Sequence, residues 1–155
     1  MKIKSVAVLG AGAVGSYVIW GLSEKSDIRL GVIAEGERAE RIKNEGCLIN
    51  DKVYHPQVWT PKEAKKADLL VVALIYNALL PALPSIKEAV GENTVVMSLM
   101  NGVDSEEIIA KEVGASHLLY SVFMTDFPST GRFRIRGSLR RSAGGGKVLR
   151  QSRNR

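Results

Sequence analysis

The sequence predicts an α/β protein built on a doubly wound, mostly parallel sheet, and three observations carry that expectation. A short run of β-formers, Val6 to Leu9, feeds directly into Gly10-Ala11-Gly12-Ala13-Val14-Gly15, and a helical pattern follows at once. Strand-like and helix-like segments then alternate along the chain, the pattern that builds parallel sheets from crossover units. The strand segments are near-continuous apolar runs, as expected of strands covered on both faces.

The elements follow in order. Ile3 to Leu9 is the first strand. Ala13 to about Lys25 is the first helix, with Val14, Val18, Ile19 and Leu22 at helical spacing. Ile28 to Ala34 is the second strand, ending on Glu35-Gly36, and a charged helix runs from Glu37 to about Glu45 with Gly46 placed to cap it. Cys47-Leu48-Ile49, Asn50-Asp51 and Val53-Tyr54 read as a hairpin with a polar turn. Thr60-Pro61-Lys62-Glu63 starts a short helix, Asp68 to Leu74 is a parallel-type strand, and Asn77 to Val90 is helical, with Gly91 closing it. Thr94 to Leu99 is a strand that ends in Met100-Asn101-Gly102. Ser105 can cap a helix running to Val113, and His117 to Phe123 is the last strand.

The glycine turn carries the first chemical expectation. G-x-G-x-x-G between a strand and a helix is a dinucleotide-binding fingerprint. Gly10 allows the sharp turn, Gly12 lets the backbone approach a pyrophosphate, and Gly15 lets the helix pack closely. The free amides and positive dipole end of the helix, around Ala11, Ala13 and Val14, would face the phosphates. Glu35 lies twenty residues beyond Gly15, at the end of the second strand, where a carboxylate accepts hydrogen bonds from ribose hydroxyls and repels a 2′-phosphate. The plainer alternative is that Glu35 only begins a charged helix. Arg38 and Arg41 sit one turn apart and could meet a 2′-phosphate, or could form an exposed face with Glu37 and Glu40. Asn101 stands just past a strand end, where ligands of open α/β sheets bind; a simple Asn-Gly turn is the alternative.

Composition bounds the rest. The 155 residues suffice for one domain with a proper core. The net charge of +6 is uneven. Residues 1–125 carry 13 Lys/Arg against 15 Asp/Glu, whereas residues 126–155 carry 9 Lys/Arg and a single acid. The single cysteine, Cys47, cannot form an internal disulfide, which fits a cytoplasmic setting, and it reads as a small buried residue rather than a nucleophile. The apolar run from Leu69 to Leu83 is interrupted by Asn77 and Pro81 and is short for a span of ~20 residues, so no membrane segment is expected. No metal centre is expected. The basic segment 126–155 has few large apolar groups and is expected to be poorly ordered, and nucleic-acid binding through it is not expected.

Taken together, Gly10–Gly15, the Ala34-Glu35-Gly36-Glu37-Arg38-Ala39 stretch, the Val71-Val72-Ala73-Leu74 strand and Ser98-Leu99-Met100-Asn101-Gly102-Val103 resemble the ketopantoate reductases (2-dehydropantoate 2-reductases) over about residues 1–125. The resemblance implies a Rossmann-like fold and NADPH-dependent reduction of 2-dehydropantoate to pantoate, a small 2-keto acid substrate, on the route to pantothenate and coenzyme A. It places Gly10 to Gly15 on the pyrophosphate and Asn101 beside the nicotinamide and the substrate, as the catalytic candidate. Two departures bear on the cofactor. Ile75 stands where the family usually has a lysine, and Glu35 where it often has a basic residue, so NAD is the alternative to NADP. The family's helical C-terminal domain, with its general acid, is not recognisable after about Thr125, where a truncated or frame-shifted product would explain the change in composition. The isolated chain is therefore expected to bind a dinucleotide with little or no turnover. A non-catalytic dinucleotide-sensing module and a related 2-keto acid dehydrogenase remain the alternatives, and a homodimer remains open.

Overall fold

The structure, a computed structural model, describes residues 2–100, 104–121 and 135–136. Its centre is a six-stranded, all-parallel sheet formed by β1 (Ser5–Leu9), β2 (Arg29–Ile33), β5 (Gln57–Trp59), β6 (Leu69–Val72), β7 (Val95–Ser98) and β8 (Leu118–Leu119). The spatial order is β5-β2-β1-β6-β7-β8. Counted in chain order, these are the third, second, first, fourth, fifth and sixth strands of the sheet. That is the order of a dinucleotide-binding sheet, with its reversal point between β1 and β6. The α/β, Rossmann-like expectation therefore holds.

Alternation along each strand explains why both faces are covered. In β1, Ala7 packs on one side with Leu70, Val72 and Val96, beneath α3 (Pro61–Ala64), α4 (Tyr76–Ala89) and α5 (Ser105–Val113). Val6 and Val8 pack on the other side with Ile19 of α1 (Ala13–Ser23) and Ala39 and Ile42 of α2 (Gly36–Glu45). A side-chain period of two on a strand buried from both sides leaves no polar position, hence the continuous apolar runs.

The hairpin forms as expected, from β3 (Cys47–Ile49) and β4 (Lys52–Tyr54). Its two turn residues, Asn50 and Asp51, have φ of 50° and 62°. Two consecutive positive φ values define the turn whose twist matches that of the strands, and Asn and Asp tolerate it best after glycine. Thr60 and Glu63 start α3 with a reciprocal capping box: the Thr60 amide donates to Glu63 Oε2 at 2.7 Å and the Glu63 amide to Thr60 Oγ1 at 3.3 Å.

Several elements differ from expectation. β5 did not stand out in the sequence because only three residues, Gln57-Val58-Trp59, pair with β2 at the sheet edge. Gly91 is not a left-handed cap; α4 ends at Ala89 with Val90 as its C-cap, and a side chain at Gly91 would strike the Lys65 carbonyl. The last strand is only Leu118–Leu119, preceded by a 3-10 turn at Ala115–His117. Within the basic segment, β9 (Ile135–Arg136) pairs antiparallel with β3. α4 contains Pro81 and Pro84, which deny amide donors to the carbonyls of Asn77 and Leu80; burial of Leu79, Ile86 and Ala89 holds the helix nonetheless. Among the described residues, no helix is long and apolar enough to cross a membrane.

Asp68 clamps β1 to β6 at the start of both strands. Its Oδ2 accepts from the amides of Lys4 and Ser5 and from Ser5 Oγ, each at 2.9 Å. The Lys4 amide, followed by the Ser5 hydroxyl, holds the carboxyl below its ordinary value of 3.8. A folded-state pKa below the unfolded one gives stability that is present above the unfolded pKa and is lost as pH falls through the folded one. Acid unfolding curves should therefore show a steeper loss of stability below about pH 4 for the parent than for Asp68→Asn; parallel curves would contradict the clamp.

Candidate functional site

The register lines up the C-terminal ends of four strands. Leu9 of β1 sits opposite Ile33 of β2 and Val72 of β6, and Val72 opposite Ser98 of β7. The row Ile33, Leu9, Val72, Ser98 therefore marks one edge of the sheet. Glu35 follows Ile33 by two residues, Gly10 follows Leu9 directly, and Ile75 follows Val72 by three. Sequence-distant candidates are thus brought to one edge of the sheet by strand pairing alone. Asn101, three residues past Ser98, lies outside the described residues, as do Gly102 and Val103.

The glycine turn is built as its spacing requires. Gly10 has φ of 102°, and a side chain there would run into the Ala73 carbonyl. At Gly15 a Cβ would collide with the Gly10 carbonyl, so the helix can come this close to the turn only without one. This sharpens the expectation that Gly15 serves helix–sheet packing, because the tight contact is with the turn itself. Gly12 is different: a Cβ there meets nothing within 4 Å. Among the described residues, none crowds a side chain at that position. The open space over it is where a pyrophosphate would lie against the backbone, so these residues fit a dinucleotide.

Two helices present uncapped N-termini to this edge. α1 begins at Gly12 and α4 at Ile75, neither with a side-chain cap or an acid in the first turn. The helices α2, α3 and α5 all carry acids there, Glu37, Glu63, and Glu106 with Glu107. The amides of Ala13, Val14 and Gly15 have no acceptor within their own helix. Positive dipole ends without carboxylates attract an anion. Ser16 steadies the turn: it is buried, its amide donates to the Gly12 carbonyl at 2.8 Å, and its Oγ donates to the Ala11 carbonyl at 3.4 Å. Sequence reasoning missed Ser16, since a serine one turn into a helix carries no distinguishing pattern.

Glu35 is exposed at the N-cap position of α2, with extended backbone and no cap hydrogen bond from its side chain. Arg38 and Arg41 lie further along that helix. Cys47 is half-buried, and its thiol pKa is raised by burial against the opposing charges of Arg38 and Arg41. A thiol kept protonated by burial is a packing group, in line with the sequence expectation.

Between the end of β7 and the start of α5 lies a buried polar network that the sequence did not reveal. Ser98 Oγ and Ser105 Oγ are 2.8 Å apart, and Ser105 Oγ donates to Glu106 Oε2 at 2.9 Å. The Met100 amide donates to Ser98 Oγ at 3.4 Å, and Ser121 Oγ donates to the Ser98 carbonyl at 2.9 Å. Ser105 was expected to cap α5. Instead Asp104 holds the N-cap position, and the Ser105 hydroxyl ties the end of β7 to the first turn of α5. Both flanks of residues 101–103 are thereby fixed. Ser105→Ala would leave Ser98 and Glu106 short of a partner in a buried setting and should cost about 1–3 kcal/mol in denaturant unfolding; a cost near zero would contradict the network.

Two open clefts, of about 290 and 380 Å³, lie at the opposite end of the sheet. Lys65, Val90, Glu112 and His117 line the smaller, and Leu22, Lys52, Tyr54 and Gln57 the larger. Neither touches the glycine turn.

Comparison with known proteins agrees with the geometry. Residues 6–146 match the family described as ketopantoate reductase PanE/ApbA. A 2-dehydropantoate 2-reductase of Mesorhizobium japonicum is 32% identical over 105 residues, covering 63% of this chain and 32% of that protein. The crystal structure of 2-dehydropantoate 2-reductase from Geobacter metallireducens is 26% identical with a TM-score of 0.60, over 75% of this chain and 40% of that one. D-mandelate dehydrogenase, solved with NADH and anilino(oxo)acetate, shares the fold at 24% identity and a TM-score of 0.64, over 76% of this chain and 40% of its own. The chain spans about a third of the length of the curated relatives it matches. The match begins in β1, takes in the glycine turn and the whole parallel sheet, and runs past β9. The chain belongs to the ketopantoate reductase PanE/ApbA family of oxidoreductases.

Proposed function

We propose that residues 1–125 form the dinucleotide-binding part of an enzyme that reduces 2-dehydropantoate to pantoate. The observation that carries this reading is the glycine turn. Gly10 and Gly15 are required by the protein's own packing, whereas among the described residues nothing crowds a side chain at Gly12, which leaves open space above a helix N-terminus. The cofactor, when bound, supplies the hydride that reduces the ketone. The chain's own groups bind and orient. The amides of Ala13, Val14 and Gly15, with the end of α1, hold the pyrophosphate. Ala11 shapes the turn, and Glu35 accepts from the ribose. Asn101, which the sequence places between Ser98 and Ser105, is the catalytic candidate that orients the substrate carbonyl or hydroxyl beside the nicotinamide. The general acid is not assigned to any described residue.

The test is oxidation of the reduced dinucleotide on addition of 2-dehydropantoate, assayed in the gene product that carries this chain, alongside other 2-keto acids. Turnover that favours 2-dehydropantoate supports the reading. Turnover with another 2-keto acid instead moves the protein to a related dehydrogenase activity, and dinucleotide binding without any turnover makes it a sensor.

A further inference from the structure

We infer that Glu35 makes the crevice selective for NADH over NADPH; this rests on the proposed dinucleotide site and names which of the two dinucleotides it takes. Three observations lead to it. The first is position. Strand register puts Glu35 just beyond the end of β2, beside the Gly10 turn, and its side chain is exposed with no cap bond to make. A carboxylate at that place accepts hydrogen bonds from both hydroxyls of the adenosine ribose.

The second is the charge of the crevice lining. Among the described residues, the stretches that follow the ends of β1, β2 and β6 at this edge are 10–17, 34–37 and 73–80, with Arg38 the next residue along α2. They carry two acids, Glu35 and Glu37, and no lysine or arginine. Ile75, at the lip formed by the end of β6, is 77% exposed and brings no charge, and Tyr76 beside it is exposed as well. A 2′-phosphate has a charge of about −1.5 to −2 at neutral pH, on the scale of other phosphate monoesters. Placed beside Glu35, it would meet a carboxylate directly, and the nearest cation in sequence is Arg38, three residues along α2.

The third concerns the nearest arginines, Arg38 and Arg41. Both are close enough to Cys47 for their charges to oppose the effect of burial on its thiol. Cys47 opens β3, just past the far end of α2. The first turn of α2, where the ribose would sit, carries Glu35 at the N-cap and Glu37, against the single cation Arg38. The uncapped ends of α1 and α4 accept the pyrophosphate that both dinucleotides share, so they do not discriminate between them. Discrimination falls to the ribose end, and there the side chain in place is Glu35.

The experiment titrates the full chain with NADH and with NADPH separately, by calorimetry, at low and high salt. NADH should bind at least about tenfold more tightly, the size of one charge-assisted hydrogen bond gained or one charge repulsion removed. The ratio should shrink as salt screens the exposed carboxylates. Glu35→Gln, which keeps an acceptor and removes the charge, should narrow the ratio by raising NADPH affinity. Glu35→Arg should reverse the order. Because Glu35 is exposed and makes no cap bond, both variants should melt with the parent, and a melting scan checks this. Equal or tighter binding of NADPH by the parent overturns the inference and leaves the dinucleotide site standing, as does an order unchanged in Glu35→Arg. Binding of neither dinucleotide overturns both.

Discussion

Gly12→Val should abolish dinucleotide binding while leaving the protein folded. The two halves of that expectation come from the same observation, that a Cβ at Gly12 meets no protein atom within 4 Å. The backbone at Gly12 is extended, with φ of −82° and ψ of −157°, which valine adopts without strain. Valine is a poorer N-cap than glycine, so the fold should lose no more than about 1 kcal/mol. The isopropyl group would, however, occupy the volume from which a pyrophosphate reaches the amides of α1. Losing two charge-assisted hydrogen bonds weakens binding by at least about a hundredfold. Circular dichroism with a melting scan reads the first half, and calorimetric titration the second. A variant that binds as well as the parent would place the site elsewhere.

Gly15→Val should do the opposite and unfold or severely destabilise the chain. Three residues further along the same motif, a side chain would be driven into the Gly10 carbonyl, with Ala73 Cβ 3.5 Å away. Neither neighbour can yield. Gly10 is itself held against Ala73, and the Ala73 amide donates to the Leu9 carbonyl at 2.9 Å between the two central strands. Relief would require α1 to lift off the turn, uncovering Ile19 and the core it shares with Val6 and Val8. The expected cost is more than about 3 kcal/mol, read as a loss of the unfolding midpoint in denaturant. A Gly15→Val chain with parental stability would mean that α1 does not sit on the turn as described. The contrast between Gly12 and Gly15 separates a glycine kept for a ligand from one kept for packing.

How much of this could be read from the amino acids depends on how local the signal is. The glycine turn, the alternation of strands and helices, the Asn50-Asp51 hairpin and the Thr60–Glu63 cap are short-range patterns, and each formed where its residues stand. Glu35 could be placed because its distance from Gly15 is set by one helix and one strand. β5 could not, since three residues at a sheet edge produce no periodicity of their own; pairing with β2 makes them a strand. The Ser98–Ser105–Glu106 network was also out of reach. Its members Ser98 and Ser105 are separated by residues 99–104, and a hydroxyl in a strand end and another in a helix start look like unrelated polar residues. For the same reason Ser105 resembled a cap. The role of Gly91 depends on Lys65, a residue of a different element, and a C-terminal glycine after a helix looks like a left-handed cap until that contact is known.

The central claim is that the edge defined by Gly10–Gly15, Glu35 and the start of α4 holds a nicotinamide dinucleotide. Amide chemical-shift mapping of the isotopically labelled chain during titration with NADH tests it most directly. The expected result is saturable perturbation of Gly12, Ala13, Val14, Gly15, Glu35 and Tyr76, with Lys65, Gln57 and His117 at the opposite end of the sheet unmoved. Perturbation confined to the residues of the two opposite clefts, or none at all with either NADH or NADPH, would contradict it.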